Sequence, residues 1–257
     1  MHLTSIDNLQ ALKKIGHITP SSNTTLEPLT AMLNYQVSSV VSNHFTRIPV
    51  SKISLDNDDT SRFEVEKMVE AAKLLADAPM DAILWNGTSG SWNGTEADVE
   101  MCRRITEVTG VPASTSTLAQ YEVFERFGIK RFALAVPYLD DVTAKAIETY
   151  GKAGYEAVTH ANLNKTVNRE FAQVSTDRIK QLLRDADSPE AECLAVVCTN
   201  FAAALVVEEM EEELGKPIFD SVVVTLWKGL DMAGVRQTMT GWGTLLETGV
   251  VQSGITR

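Results

Sequence analysis

Short apolar runs alternate along the chain with segments whose apolar residues recur at three- and four-residue spacing, and that alternation predicts an α/β protein. Residues 14–19 read as a first strand, ending at Pro20-Ser21-Ser22-Asn23-Thr24-Thr25 before a helix through Leu29 and Leu33. A second strand is expected within 37–48. Val65, Met68, Val69, Ala72 and Leu75 keep the spacing of an amphipathic helix. The next strand, 80–85, ends in Asn86-Gly87-Thr88-Ser89-Gly90-Ser91, a polar helix covers 96–109, and Gly110-Val111-Pro112 closes the unit.

The pattern then restarts. A strand within 128–138 parallels the first one and its proline ending, followed by a helix over 140–153, a strand over 156–161 and a helix over 176–185. The apolar run Leu194-Ala195-Val196-Val197 stops at Cys198-Thr199-Asn200, and a helix-like pattern over 202–210 follows at once. This predicts a buried strand feeding a helix, with Cys198 at the strand's carboxyl end. Matched points lie at similar offsets: 117 positions from Pro20 to Pro137, 111 from Gly87 to Cys198 and 105 from Gly110 to Gly215. The repeat unit is therefore a whole domain. Two pseudo-symmetric α/β domains are expected, each a short parallel sheet flanked by helices, with strand ends facing across a cleft. Residues 1–117 plus 219–257 form the first and 118–218 the second.

Charge and composition narrow the partners. A formal net charge of −11 opposes binding to nucleic acid or an anionic membrane. No apolar run approaches the ~20 residues of a membrane span, and the amino terminus lacks the order of a secretion signal. Cys102, Cys193 and Cys198 form no CxxC, so reduced thiols and a cytoplasmic location are expected. His2, His17, His44 and His160 share no metal-ligand spacing, and HExxH and GxSxG are absent. Glu208, Glu209, Glu211, Glu212 and Glu213 read as a solvated helix face.

Two stretches carry candidate chemistry. Cys198 at a strand end beside a helix start is placed where a thiol pKa is lowered, whereas Cys102 and Cys193 read as packing cysteines. Gly87-Thr88-Ser89-Gly90-Ser91 lacks P-loop and GxGxxG spacing, which leaves a glycine-rich turn or an anion cradle built from Thr88 and Ser89.

Pro20-Ser21-Ser22-Asn23-Thr24-Thr25 with Glu27, Thr88-Ser89-Gly90-Ser91, Pro137-Tyr138, Asn168 and Cys198-Thr199-Asn200 together resemble the maleate cis-trans isomerases. These belong to the aspartate/glutamate racemase superfamily, with the arylmalonate decarboxylases and hydantoin racemases. The resemblance implies the two-domain fold, a homo-oligomer, and chemistry without metal or any other cofactor. It implies substrate-carboxylate contacts from Asn23, Tyr138 and Asn168, an anion hole from Thr88, Ser89 and Thr199, and catalysis by Cys198. Relatives that isomerise or racemise carry a cysteine in each half, and the first would stand where this chain has Gly87. Arylmalonate decarboxylases, by the same resemblance, also have glycine there. The expected activity is therefore decarboxylation of a small substituted malonate through an enediolate that Cys198 protonates. The alternatives are a maleate-type isomerase with a non-cysteine first nucleophile, which the intact Pro20–Thr25 stretch favours, and a non-catalytic carboxylate-binding protein.

Overall fold

The computed structural model describes residues 9–50, 52, 53, 55 and 65–248; His2 and both extreme ends of the expected first domain lie outside them. Two four-stranded parallel sheets carry the chain. The first is β1 (Lys13–Pro20), β2 (Val41–Ile48), β3 (Ala82–Trp85) and β4 (Ala113–Thr115), in the order β2-β1-β3-β4. The second is β5 (Arg131–Val136), β6 (Glu156–Asn162), β7 (Cys193–Val196) and β8 (Ile218–Asp220), in the order β6-β5-β7-β8. The two orders are identical once β5–β8 are matched to β1–β4, so the duplication read from the sequence is a duplication of topology.

The central strands β3 and β7 are buried at every position, as expected where helices cover both faces of a parallel sheet. On the first sheet, α1 (Leu26–Asn34), α2 (Val65–Ala76) and α4 (Glu96–Thr109) supply the cover, while the single-turn α3 (Gly90–Asn93) packs mainly on the helix over Asp140–Lys152 of the other lobe. After β4 comes α5 (Ser116–Phe127). The second sheet has α6 (Asp140–Lys152), the one-turn α7 (Asn168–Phe171), α8 (Thr176–Ala186) and α9 (Val207–Leu214), with α10 (Ser221–Met232) and α11 (Thr244–Thr248) behind. In α8 the buried residues Ile179, Leu182, Leu183 and Ala186 form one stripe, and the Ser175 hydroxyl caps its start by accepting from Arg178 N.

Two helices change sides. α5 follows the first sheet, yet Phe124 stacks against Phe132 of β5 (5.0 Å), Tyr155 (5.2 Å) and Phe219 of β8 (6.3 Å). α10 follows the second sheet, yet it packs on β3, α1 and α5. Its close seat on the first sheet requires a glycine: a Cβ at Gly229 would stand 2.7 Å from Leu84 Cδ1 and 3.0 Å from Ile15 Cγ2. Covered on nearly every face, α10 is apolar almost all round. Among the described residues no helix is long and apolar enough to cross a membrane.

Several details differ from the sequence reading. β7 stops at Val196 rather than at Cys198, because the Val196 carbonyl accepts from the Ser221 hydroxyl (2.9 Å). The helix expected at 202–210 begins as a 3₁₀ turn, Ala202–Val206, and becomes α-helical only at Val207. Glu211 is not part of a solvated face. It is half-buried, accepting from Ile218 N (2.8 Å), Thr244 N (2.7 Å) and Thr244 Oγ1 (2.8 Å), and burial raises its pKa.

Candidate functional site

The carboxyl ends of β3 and β7 face one another, and internal symmetry identifies equivalent positions across the gap. Ser116, first residue of α5, donates its hydroxyl proton to the Trp85 carbonyl that ends β3 (3.3 Å). Ser221, first residue of α10, does the same for the Val196 carbonyl that ends β7 (2.9 Å). Two residues beyond each strand end stand Gly87 and Cys198, followed by Thr88 and Thr199.

The Cys198 sulfur lies within hydrogen-bonding reach of the Tyr138 hydroxyl and the Asn200 backbone N–H. The Tyr138 hydroxyl in turn meets Thr88 Oγ1 at 2.9 Å. The thiol of one lobe is thereby joined through a phenol to the Gly87–Ser91 loop of the other. All three side chains are buried, with Cys198 3% exposed. Burial pushes the Cys198 thiol up to about 12, outweighing the Tyr138 and Asn200 donors that pull it down; the buried Asp220 adds to the rise. This corrects the expectation of a lowered thiol pKa: a dry strand end penalises the thiolate more than two donors stabilise it. Burial also holds the Tyr138 phenol well above its ordinary range, so it remains an O–H donor.

Asparagines lace the lobes together around this centre. Asn23 Oδ1 accepts from Thr25 N (3.0 Å) and Leu26 N (2.9 Å), capping α1, while its Nδ2 donates to Thr199 Oγ1 (3.2 Å). Thr199 Oγ1 donates to the Asn86 carbonyl at the foot of the loop (2.8 Å). Asn200 Oδ1 accepts from Thr24 N (3.0 Å) and Thr25 N (3.2 Å), and its Nδ2 donates to the Asn168 carbonyl (2.7 Å). Asn168 Nδ2 donates to Ser22 Oγ (2.8 Å). Asn23, Thr88, Tyr138, Asn168, Cys198 and Thr199 are thus brought to the meeting of the two lobes, whereas Ser89 is buried beside Thr88 and lines a cavity walled by Trp85, Met68 and Met101 of its own lobe.

Sequence reasoning assigned no role to His17, Asn86 or Trp85. His17 is buried in β1, where Asn86 Nδ2 donates to its Nδ1 (3.2 Å) and its Nε2 faces Asn43 Oδ1 at 2.9 Å. That pattern places the proton on Nε2, and burial lowers the pKa to about 4. A neutral imidazole therefore props Asn86, the residue before Gly87. Only the position of Asn86 at a strand end could have flagged it.

Gly87 has no room for a side chain while Trp85 keeps its place. A Cβ built there would lie 2.1 Å from Trp85 Cζ2, 2.2 Å from Cε2 and 2.5 Å from Nε1. The buried indole fills the room that any side chain at Gly87 needs. The equivalent position in the other lobe carries the thiol.

The sequence profile of the arylmalonate decarboxylase family, Amdase, matches residues 47–246. A maleate isomerase from Geobacillus stearothermophilus is 24% identical over 246 residues, covering 91% of this chain and 96% of its own length. The arylmalonate decarboxylase of Bordetella bronchiseptica is 24% identical over 187 residues, covering 71% and 78%. Among solved structures, a cysteine-to-serine mutant of the Nocardia farcinica maleate cis-trans isomerase with a covalently bound succinylcysteine intermediate superposes with a TM-score of 0.85. It is 21% identical and the match covers 92% of this chain and 98% of that one. A fold shared with both enzyme types and a profile match across most of its length identify the chain as a member of the arylmalonate decarboxylase family.

Proposed function

We propose that the protein is a cofactor-independent decarboxylase of a small substituted malonate. One carboxylate is held by the hydroxyls of Thr88, Ser89 and Tyr138, with Asn23, Asn168 and Thr199 shaping the surrounding site. As the bond to the second carboxylate breaks and CO2 leaves, its electron pair passes to the α-carbon and the retained carboxylate, giving an enediolate. Donors aimed at those oxygens stabilise it more than they stabilise the reactant. The Cys198 thiol then gives its proton to the α-carbon, and the thiolate is reprotonated from solvent. A thiol whose pKa lies near 12 keeps its proton until a strongly basic carbanion meets it. One donor on one face yields one enantiomer.

The observation that carries this reading is the asymmetry of two equivalent positions. Cys198 stands on one side, and on the other Gly87 has its side-chain room occupied by the Trp85 indole. Two-sided proton transfer and attack by a first cysteine both need a side chain at Gly87. The test is to incubate the purified protein with methylphenylmalonate and follow CO2 release and the chirality of the product. Cys198→Ala should lose at least a thousandfold in rate, and undiminished CO2 release by that variant overturns the proposal.

A second reading is isomerisation of a maleate-type dicarboxylate, with water or a hydroxyl adding to the double bond in place of the first cysteine. The longer span shared with the maleate isomerases, 91% of the chain against 71%, favours it. Proton NMR of a maleate solution separates the two, because fumarate appears as a distinct singlet only under this second reading.

A further inference from the structure

The cavity that Ser89 lines, about 200 Å³, lies between α2, α3 and α4 of the first lobe. Asn93 and Ala97, both exposed, stand at its mouth, and Val65, Met68, Met101 and Trp85 form apolar walls. Asp98 also lines it, only 4% exposed, and no lysine, arginine or histidine among the described residues pairs with it. Its Oδ2 accepts from Thr115 Oγ1 (2.6 Å). Its Oδ1 has no partner among the described residues and, unlike the sealed Thr117 Oγ1, remains open to solvent, so it faces the cavity. The chain leaves room for this carboxyl: a Cβ at Gly90 would stand 2.6 Å from Asp98 Oδ2.

A buried carboxylate is ordinarily paired with a cation, and here the protein supplies one hydroxyl. Burial raises the Asp98 pKa to about 6, so at neutral pH the group is still mostly ionised. The lining specifies which cation fits. A divalent metal ion takes about six oxygens, and the described residues hold no cluster of three His, Cys, Asp or Glu. A guanidinium pairs best with both oxygens of a carboxylate, and Oδ2 is already taken by Thr115. A primary ammonium needs one oxygen. The aromatic and thioether surface of Trp85, Met68 and Met101 suits its flank and a short alkyl tail.

We infer that this cavity binds a small primary alkylammonium, its nitrogen donating to Asp98 Oδ1 and its alkyl chain lying among Trp85, Met68 and Met101. The site is separate from the cleft holding Cys198 but borders the same loop. Ser89 on its lining follows Thr88, whose hydroxyl meets the Tyr138 hydroxyl at 2.9 Å. Whatever coupling results is reciprocal between the two sites.

The probe is n-butylammonium, with n-butanol as its uncharged counterpart; no turnover is required, so the inference stands or falls independently of the reaction proposed above. In a ¹⁵N-labelled sample the Trp85 indole N–H resonance is assigned with Trp85→Phe and followed during titration. Ionic strength is held constant, which screens general attraction to a chain of net charge −11. The shift should saturate with n-butylammonium, and n-butanol should bind at least about tenfold more weakly. Asp98→Asn keeps an oxygen for Thr115, so it should fold, and it should bind the two probes alike. Glu96→Gln removes an exposed carboxylate beside Gly94 at the mouth and should leave the affinity within about twofold. A pH series needs no variant: protonation of Asp98 should weaken n-butylammonium binding about tenfold from pH 7 to pH 5 and leave n-butanol unaffected. Cys102, Tyr121 and Tyr150, which feel the Asp98 charge, stay protonated over that range because burial raises each pKa. Absence of a saturable shift up to 100 mM n-butylammonium (about a hundred times a millimolar Kd) overturns the inference. So does equal affinity of the unmodified protein for the two probes, or an affinity lost with Glu96→Gln and indifferent to Asp98→Asn and to pH.

Discussion

Introducing a cysteine at Gly87 is the natural experiment for a site that holds one thiol, and the structure predicts that it fails when made alone. The new Cβ would overlap the Trp85 ring at 2.1 to 2.5 Å, where carbon atoms normally rest about 3.5–4.0 Å apart. The indole must therefore retreat by more than about 1 Å. The loop cannot yield instead, because Asn86 N donates to the Ile18 carbonyl (2.9 Å) and the Asn86 carbonyl accepts from Thr199 (2.8 Å). A cavity of about 200 Å³ lined by Trp85, Met68 and Met101 gives the ring partial relief. Overpacking of this kind costs about 1–3 kcal/mol, and with little freedom in the loop the upper end applies. For a chain of this length that lowers Tm by about 6–12 °C. Gly87→Ala, which adds the same Cβ without the sulfur, should fall equally in differential scanning calorimetry. Adding Trp85→Leu to Gly87→Cys should recover stability relative to the sum of the single changes, a coupling of about 2 kcal/mol. Only that double variant should exchange the α-proton of an arylacetic acid for deuterium from the face opposite Cys198. An unchanged Tm for Gly87→Cys would refute the packing argument.

Two further predictions test the electrostatics and the ties between the lobes. Asp220, fully buried, caps α10 by accepting from Val222 N (2.9 Å) and Val223 N (3.2 Å), and burial raises its pKa from 3.8 to about 7. A carboxyl with a raised folded-state pKa contributes stability that is complete below 3.8 and lost as pH rises through about 7, in total about 4 kcal/mol. Asp220→Asn should therefore gain in Tm relative to the unmodified protein between pH 5 and pH 8, and a constant difference across that range contradicts the assignment. Asn200→Ala leaves Thr24 N, Thr25 N and the Asn168 carbonyl without their shared partner, which should cost about 2–4 kcal/mol in urea unfolding. A loss below about 0.5 kcal/mol would mean that these groups find other partners.

The alternation of strand and helix was legible because each element carries its own periodicity. In α4, Asp98, Met101 and Ile105 are buried at helical spacing, and the expected 96–109 is the observed span. Periodicity does not say which sheet an amphipathic face covers, so the crossing of α5 and α10 to opposite lobes was invisible. Phe124 reads as an ordinary helix residue until Phe132, Tyr155 and Phe219 surround it. Cys198 was found through its place after an apolar run, but its pKa was read with the wrong sign. Local sequence predicts the donors near a thiol and not the depth at which the fold buries it. Trp85 passed for the last core residue of a strand; only coordinates reveal that its ring lies over the Cα of Gly87. Asn23 is an N-cap residue type beside a helix start, and its second attachment, to Thr199 at 176 positions' distance, is a tertiary fact.

These attachments between the lobes are of two kinds. With Cys198 3% and Tyr138 2% exposed, the sulfur is shut in where the lobes meet. The polar ties between the lobes include Asn23 to Thr199, Thr199 to the Asn86 carbonyl, Asn200 to Thr24 and Thr25, Asn168 to Ser22, Thr88 to Tyr138 and Ser91 to Tyr150. Each is worth about 1 kcal/mol net, because water takes over the freed donors and acceptors. The exchanged helices α5 and α10, in contrast, bury apolar faces and pack against each other as well as on the lobe opposite their own strand. Separating them would expose buried aromatic surface at a cost of roughly 25 cal/mol per Å². Where the lobes meet, Tyr138 reaches Thr88 and Cys198 is shut away from water, which keeps its thiol protonated. The raised thiol pKa and the burial that blocks entry are consequences of the same closed geometry.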